Sequence, residues 1–256
     1  MSTRILLWLS TAALLLAAPL LHARTLEEIK ARGTISVCAN PDALPYAANR
    51  PDEPGFQLEL ARKIAEGLGV GLTTEWIVAR RRISQVNCDM LLDSVNDPAV
   101  YEGRLLLSRP YHRTGVALGL RGDASAVLGF DDLRDGRKVG VMVGSLASVV
   151  LGKKGIRTSP YAFEQDMIED LLRGALDAVA VNPATFAYHA ARRPDAGLRL
   201  VHAYETTPEL SWQVSVALRN ADEALRGEVD RVLERLLAEG TLAQIYTRYH
   251  VEHRVP

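Results

Sequence analysis

The apolar positions form one opening run and then a strand-and-helix plan that is played twice. The run spans seventeen residues, Ile5 to Leu21, with Arg4 before it and His22-Ala23 after it. That is the layout of a secretory leader: one cationic residue, a short apolar stretch and a small-residue exit. It is short for a membrane span, and no basic stop-transfer cluster follows. Cleavage is expected after Ala23, with Ala18 as a second position and an uncleaved anchor as the alternative.

Beyond the leader, Leu26 to Gly33 reads as a short helix with a basic-Gly stop, leading into the strand Thr34 to Cys38. Phe130 to Gly136 leads in the same way into Lys138 to Val143. After Gly55, the residues Phe56, Leu60, Ile64 and Leu68 repeat every fourth position and make one helical stripe. After Gly144-Ser145, a helix runs to Leu151. Each unit returns to a strand headed by an acid: Asp89-Met90-Leu91-Leu92 in the first, Asp177 to Val181 in the second. Strand, helix, strand, twice, predicts two parallel α/β sheets. Tyr111 to Leu120 and Ser211 to Leu218 read as crossovers between them. The expected lobes are 24–112 with 217–256, and 113–216. Asn220-Ala221-Asp222-Glu223 resembles a capping box ahead of the stripe Leu225, Val229, Val232, Leu233, Leu236 and Leu237. A last helix is expected from Leu242 to Tyr249.

Removing 23 of the 256 residues leaves 233, enough for two small lobes with real cores. The mature part carries 29 basic and 31 acidic residues, a net charge of −2. No basic field exists to hold nucleic acid. The two cysteines, Cys38 and Cys88, fall within one strand and at the start of another. Export permits a disulfide between them. Parallel strands could hold the sulfurs apart, so a bonded pair and two buried thiols both stay open.

Asn40 and Asp42 follow the first strand, and Asp93, Ser94 and Asn96 follow the third, where open α/β sheets bind ligands. The same residue types also make turns. Ser145 heads a helix, as an N-cap or an anion donor. Arg80, Arg81 and Arg82 read as a solvated loop or as a grip for an anion. Trp76 and Trp212 read as core residues first and cleft aromatics second. The six histidines show no metal-ligand spacing, and Gly140 to Ser145 lacks the Gly-Lys-Ser/Thr ending of a phosphate loop. No cofactor or metal is expected. Asp42, Asp93 and Glu102 are acids without an evident partner, and no nucleophile elbow is present.

The chain resembles the periplasmic solute-binding proteins of family 3, the receptors of polar amino-acid ABC importers. The resemblance rests on Gly55 to Ala61, Ser108-Arg109-Pro110-Tyr111, Val139 to Ser145, Leu176 to Val179 and Ala238 to Tyr246, in family order. It implies an α/β, two-lobed periplasmic-binding-protein fold of type II. Each lobe would be a mostly parallel sheet flanked by helices, with two hinge strands and a cleft that closes on a ligand. It also implies an exported, periplasmic monomer that meets a membrane permease. Family members that bind α-amino acids place an Arg before the Ser-Arg-Pro-Tyr turn and an Asp after the Leu-Asp-Ala strand. Here those positions are Tyr101, with Arg104 three residues on, and Asn182. The family's aromatic shelf falls at Ala43, with Tyr46 nearby. An unpaired zwitterion in a closed cleft costs several kcal/mol. The expected ligand is therefore small and polar or anionic, and not an ordinary α-amino acid.

The first lobe also resembles periplasmic proteins encoded beside quinoprotein alcohol dehydrogenases. That likeness rests on Val37 to Pro41, Leu44-Pro45-Tyr46, Trp76 to Arg82, Cys88-Asp89 and Arg109 to Thr114. Trp76 to Asp89 spans only thirteen steps, so the helix between the second and third strands is expected to be cut short. An accessory role toward a periplasmic quinoprotein dehydrogenase is the alternative to a permease partner. A dehydratase-like cleft enzyme stands third.

Overall fold

A computed structural model describes residues 24–77, 87–101, 105–122, 124, 126–133 and 136–256. The leader, the arginine run 80–82, Glu102 and Arg104 lie outside the described residues, as does most of the shortened 77–88 connection.

The chain begins with α1 (Leu26–Arg32), closed by a Thr25–Glu28 capping box, and β1 (Thr34–Ala39). A small hairpin follows, β2 (Asp42–Ala43) and β3 (Ala47–Ala48), then α2 (Phe56–Leu68) and β4 (Gly71–Trp76). Next come β5 (Met90–Val95), β6 (Leu105–Leu107), β7 (His112–Gly115) and β8 (Ala117–Arg121). The second unit holds β9 (Val139–Met142), α3 (Leu146–Lys153), β10 (Thr158–Tyr161) and α4 (Glu164–Leu172). It continues with β11 (Ala178–Val181), α5 (Pro183–Ala191) and β12 (Leu198–Val201). The chain ends with β13 (Ser211–Arg219), α6 (Glu223–Ala238) and α7 (Thr241–Arg248).

Two sheets result, with orders β4-β1-β5-β13-β6 and β10-β9-β11-β8-β12. They are the same design. In each, the first strand of the unit lies between the second and the third, in parallel. One antiparallel strand arriving from elsewhere in the chain, β13 or β8, is inserted next to the third. The acid heading each third strand explains part of the match. Asp89 and Asp177 face Ser36 and Lys138, each accepting the partner's backbone N–H, at 2.7 Å in both lobes. Each returns its own N–H to that partner's carbonyl.

Every residue of the Phe56, Leu60, Ile64 and Leu68 stripe is buried in the first core, against Leu225, Val229, Val232 and Leu233 of α6. Each such side chain contributes about 1.5–3 kcal/mol on burial. The second lobe has one core on each face of its sheet, centred on Phe130 and Tyr204 and on Met167 and Phe186.

Three expectations shift, and the open question of the cysteines is resolved. β7 pairs with β13 along Gly115–Ser211 to His112–Val214, so both strands belong to the first sheet. The chain therefore leaves the first lobe at Val116, not after His112, and rejoins it at Ser211, not at 217. Gly115 sits at that exit because a Cβ there would lie 2.2 Å from the Leu210 carbonyl oxygen. The α6 cap is Asp222, two residues later than expected, with Oδ1 accepting the Leu225 N–H at 2.8 Å. Trp76 is not core: it ends an edge strand at 38% exposure. Cys38 and Cys88 are joined in a disulfide, with their Cα atoms 5.5 Å apart. Among the described residues, no helix is long and apolar enough to cross a membrane.

Candidate functional site

A cleft of about 900 Å³ opens between the two sheets, at the carboxyl ends of their parallel strands. Asn40, Asp42, Tyr46 and Asp93 line it from the first lobe, and Ser145 and Asn182 from the second. Trp212 of β13 lines it too, so it is a half-buried cleft aromatic rather than a closed core residue. Trp76, Ser94 and Asn96 do not line it. Ser94 turns away from it, its hydroxyl donating to the Leu91 carbonyl at 3.3 Å. Tyr101 ends a short 3-10 helix outside the cleft.

Several of these groups also hold the local backbone. Asn40 Oδ1 accepts the Asp42 N–H at 3.0 Å, and Ser145 Oγ accepts the Ser148 N–H at 3.2 Å as the α3 cap. Asn182 Oδ1 accepts the Ala184 N–H at 2.9 Å, capping α5. The turn-forming and cleft-lining roles thus coincide at Asn40, Asp42, Ser145 and Asn182.

Asp93 is the most elaborated group. Its backbone is left-handed, with φ 50, a conformation that Asp tolerates better than most residues. Gln57 donates to its Oδ2 at 2.6 Å, and the Tyr111 hydroxyl donates to its Oδ1 at 2.9 Å. The same hydroxyl accepts the Asp93 N–H at 2.7 Å. Burial raises the carboxyl's proton affinity, and Gln57, Tyr111 and Tyr246 oppose that rise. Opposite it, at the start of α4, lies a second acid, Glu164. Its Oε1 accepts the Asn182 N–H at 2.8 Å. Burial raises this carboxyl also, against hydrogen bonds from the Asn182 backbone and Thr185. Gln57, Tyr111, Glu164 and Tyr246 were not among the expected site residues. Gln57 and Tyr246 sit in stretches that carry the family likeness. Glu164 follows β10, whose Pro160 hides an edge strand from pattern reading.

The lobes touch beside the cleft. Tyr46 of the first lobe and Asn182 of the second both line the seam. Tyr188 of α5 donates to Glu53 of the first lobe at 2.9 Å. Arg192 pairs with the same carboxylate and lies 3.5 Å over the Tyr188 ring.

At the hinge, His112 stacks on His253, with ring centres 5.3 Å apart, and its Nδ1 accepts the Arg254 N–H at 3.1 Å. Burial first, and then His253, pull His112 from 6.5 down to about 3. An unfolded histidine takes up a proton near pH 6.5 that the folded one refuses until about pH 3. Stability should therefore fall as pH drops through that window, by several kcal/mol at its foot. Melting curves from pH 7 to pH 4 should show this slope, flattened in His112→Gln. Equal slopes would remove His112 from the account.

Among the described residues, no group of three or more His, Cys, Asp or Glu side chains is placed to hold a metal.

The sequence profile of the bacterial extracellular solute-binding proteins, family 3, matches residues 35–252. Curated relatives include membrane-bound lytic murein transglycosylase F of Ectopseudomonas mendocina (strain ymp), 27% identical over 245 residues, 88% of this chain and 47% of theirs. The same protein of Desulfosudis oleivorans (strain DSM 6200 / JCM 39069 / Hxd3) is 25% identical over 240 residues, 89% of this chain and 51% of theirs. The chain thus spans about half the length of the curated relatives it matches. Among solved structures, an ancestral cationic amino acid solute binding protein superposes with a TM-score of 0.75 at 21% identity, covering 88% of this chain and 99% of that one. The unliganded, open L-cystine solute receptor of Neisseria gonorrhoeae gives 0.74 at 17% identity, covering 90% and 98%. These two establish the shared fold: two α/β lobes around a cleft. With the profile spanning both lobes, the chain belongs to the bacterial extracellular solute-binding proteins of family 3.

Proposed function

We propose that the chain is an exported protein that captures a small polar solute between its lobes and delivers it to an ABC permease. One observation carries this reading: a cleft of about 900 Å³ lined from both lobes, with a carboxylate on each side, Asp93 and Glu164. Residues 1–23 are proposed as the leader that sends it out of the cytoplasm. The solute is proposed to be something other than an ordinary α-amino acid, since Tyr101 stands outside the cleft and Asn182 is a helix cap. The anionic half of the expectation leaned on Arg80 and Arg104. The described lining contains Asp42, Asp93 and Glu164 and no Lys or Arg, which favours a neutral or cationic solute. Catalysis is not proposed, because among the described residues of the cleft no nucleophile is paired with a base.

A thermal-shift screen over amino acids, organic acids, alcohols, sugars and amines tests the reading. The name of the curated relatives adds murein fragments to that panel. A solute at 100 times its Kd should stabilise the fold by about 2.7 kcal/mol through mass action. Silence across the panel would count against solute capture, and submicromolar binding of a common amino acid would overturn the exclusion.

A second reading, an accessory role beside a periplasmic quinoprotein dehydrogenase, draws on the Cys38–Cys88 bond, which ties two of the stretches that carry that likeness. Co-purification of the dehydrogenase with the tagged protein would favour it. Recovery of a permease instead would dismiss it.

A further inference from the structure

The floor of the cleft contains more polar capacity than the protein itself uses. Each Asp93 carboxyl oxygen receives one strong donor, one from Gln57 and one from Tyr111, and an ionised carboxylate has about four acceptor sites. Beside it lies the Tyr246 hydroxyl, which faces the carboxylate and helps to hold its proton affinity down, but without a well-formed hydrogen bond to it. Tyr246 is 1% exposed and its ring lines the cleft, so a group that arrives from the cleft can complete the pairing of both side chains. The surrounding walls are aromatic. Tyr46 and Phe56 have ring centres 4.8 Å apart, and Phe56 and Tyr246 4.5 Å. All three line the cleft.

A carboxylate, a neighbouring hydroxyl oxygen with open lone pairs and electron-rich rings share one complement, a positively charged nitrogen that donates hydrogen bonds. We propose that the Asp93–Tyr246 floor is the subsite for the ammonium head of a small organic cation bearing no carboxylate. Across the cleft, Val143 and Phe163 line the second-lobe side at 66% and 63% exposure, and these are the surfaces on which the ligand's apolar body would rest as the lobes close. Glu164 in the second lobe provides the matching negative charge on that side. This inference rests on the cleft being a solute site, and deepens it.

The test uses matched probes that differ only in the head group. These are 2-phenylethylammonium, 2-phenylethanol and 3-phenylpropionate, with butylammonium, butanol and pentanoate as a smaller set. Titration calorimetry and thermal shift on the full protein should show binding for at least one cation and none for the corresponding alcohol or acid. Asp93→Asn should weaken that cation by about 30-fold, the size of a lost charged hydrogen bond. Tyr246→Phe leaves the packing intact and should weaken it by about 5-fold, with the melting temperature of the free protein unchanged or raised. Stronger binding of an alcohol or an acid, unchanged affinity in both variants, or silence from every cation would overturn the proposal. Binding of a neutral or anionic solute in those cases would leave cleft capture standing alone. Silence from this set and from the wider panel together would remove both.

Discussion

Asp89→Ala is expected to destabilise the protein by about 3–5 kcal/mol, the cost of leaving a buried cation without its partner. Asp89 is 1% exposed. Its Oδ2 accepts the Ser36 N–H at 2.7 Å, the Ser36 hydroxyl at 2.8 Å and Arg32 at 2.5 Å. Arg24, only 6% exposed, faces its other oxygen at 3.4 Å. Removing the carboxylate strands the Arg24 charge and orphans the Ser36 donors at the centre of the first sheet. Asp177 in the second lobe occupies the equivalent register but is exposed and receives the Lys138 N–H alone. Asp177→Ala should therefore lose only about 0.5–1.5 kcal/mol. Urea melts of the two variants should separate these values clearly. Similar losses would mean that burial does not set the difference between the two acids.

The second large effect is redox. Cys38 and Cys88 are 50 positions apart, so their bond closes a loop of about that length in the unfolded chain. Loop-closure entropy puts its contribution at about 4 kcal/mol. For a chain of this size that corresponds to a fall of about 10 °C in melting temperature on reduction, or in a Cys38→Ser, Cys88→Ser variant. The closed loop contains the hairpin, α2 and β4, and so holds Asn40, Asp42, Tyr46 and Gln57. Ligand affinity should fall together with stability, because that wall of the cleft is anchored by the bond. An unchanged melting temperature under strong reductant would contradict both the bond and the oxidising destination proposed for the chain.

Much of the architecture was legible in the pattern of residues, because the repeated plan is physically enforced. The stripe Phe56, Leu60, Ile64, Leu68 had only one face to bury, and it buried it. The acids heading the third strands mark where each parallel strand rejoins its sheet. The hinge was located only roughly. Tyr111 to Leu120 reads as one long strand, and nothing in its sequence reveals that hydrogen bonding passes from one sheet to the other at Val116. Trp76 was misread because an edge strand can end in a large exposed ring without breaking its pattern. The pairing of Cys38 with Cys88 stayed open, since register decides it and register is not visible in composition.

The site was legible in location and not in chemistry. Asn40, Asp42, Asp93 and Ser145 follow strand ends or head helices, so topology alone placed them at the cleft. Ser94 and Asn96 share the loop with Asp93 but not its direction. Leu92, Asp93 and Val95 of β5 line the cleft, while the Ser94 hydroxyl turns back to the Leu91 carbonyl, and the left-handed backbone of Asp93 interrupts the simple alternation of the strand. Glu164 and Tyr246 needed the fold, because their role comes from being brought next to residues 18 to 153 positions away.

Small-angle scattering of the protein alone and saturated with a solute that raises its melting temperature tests the gripping of a solute at the seam most directly. The radius of gyration should shrink on saturation, with one solute bound per chain, and for an organic cation the midpoint of the shrinkage should move to about 30-fold higher concentration in Asp93→Asn. A solute bound one to one with no change in dimensions would show that capture does not take place between the lobes.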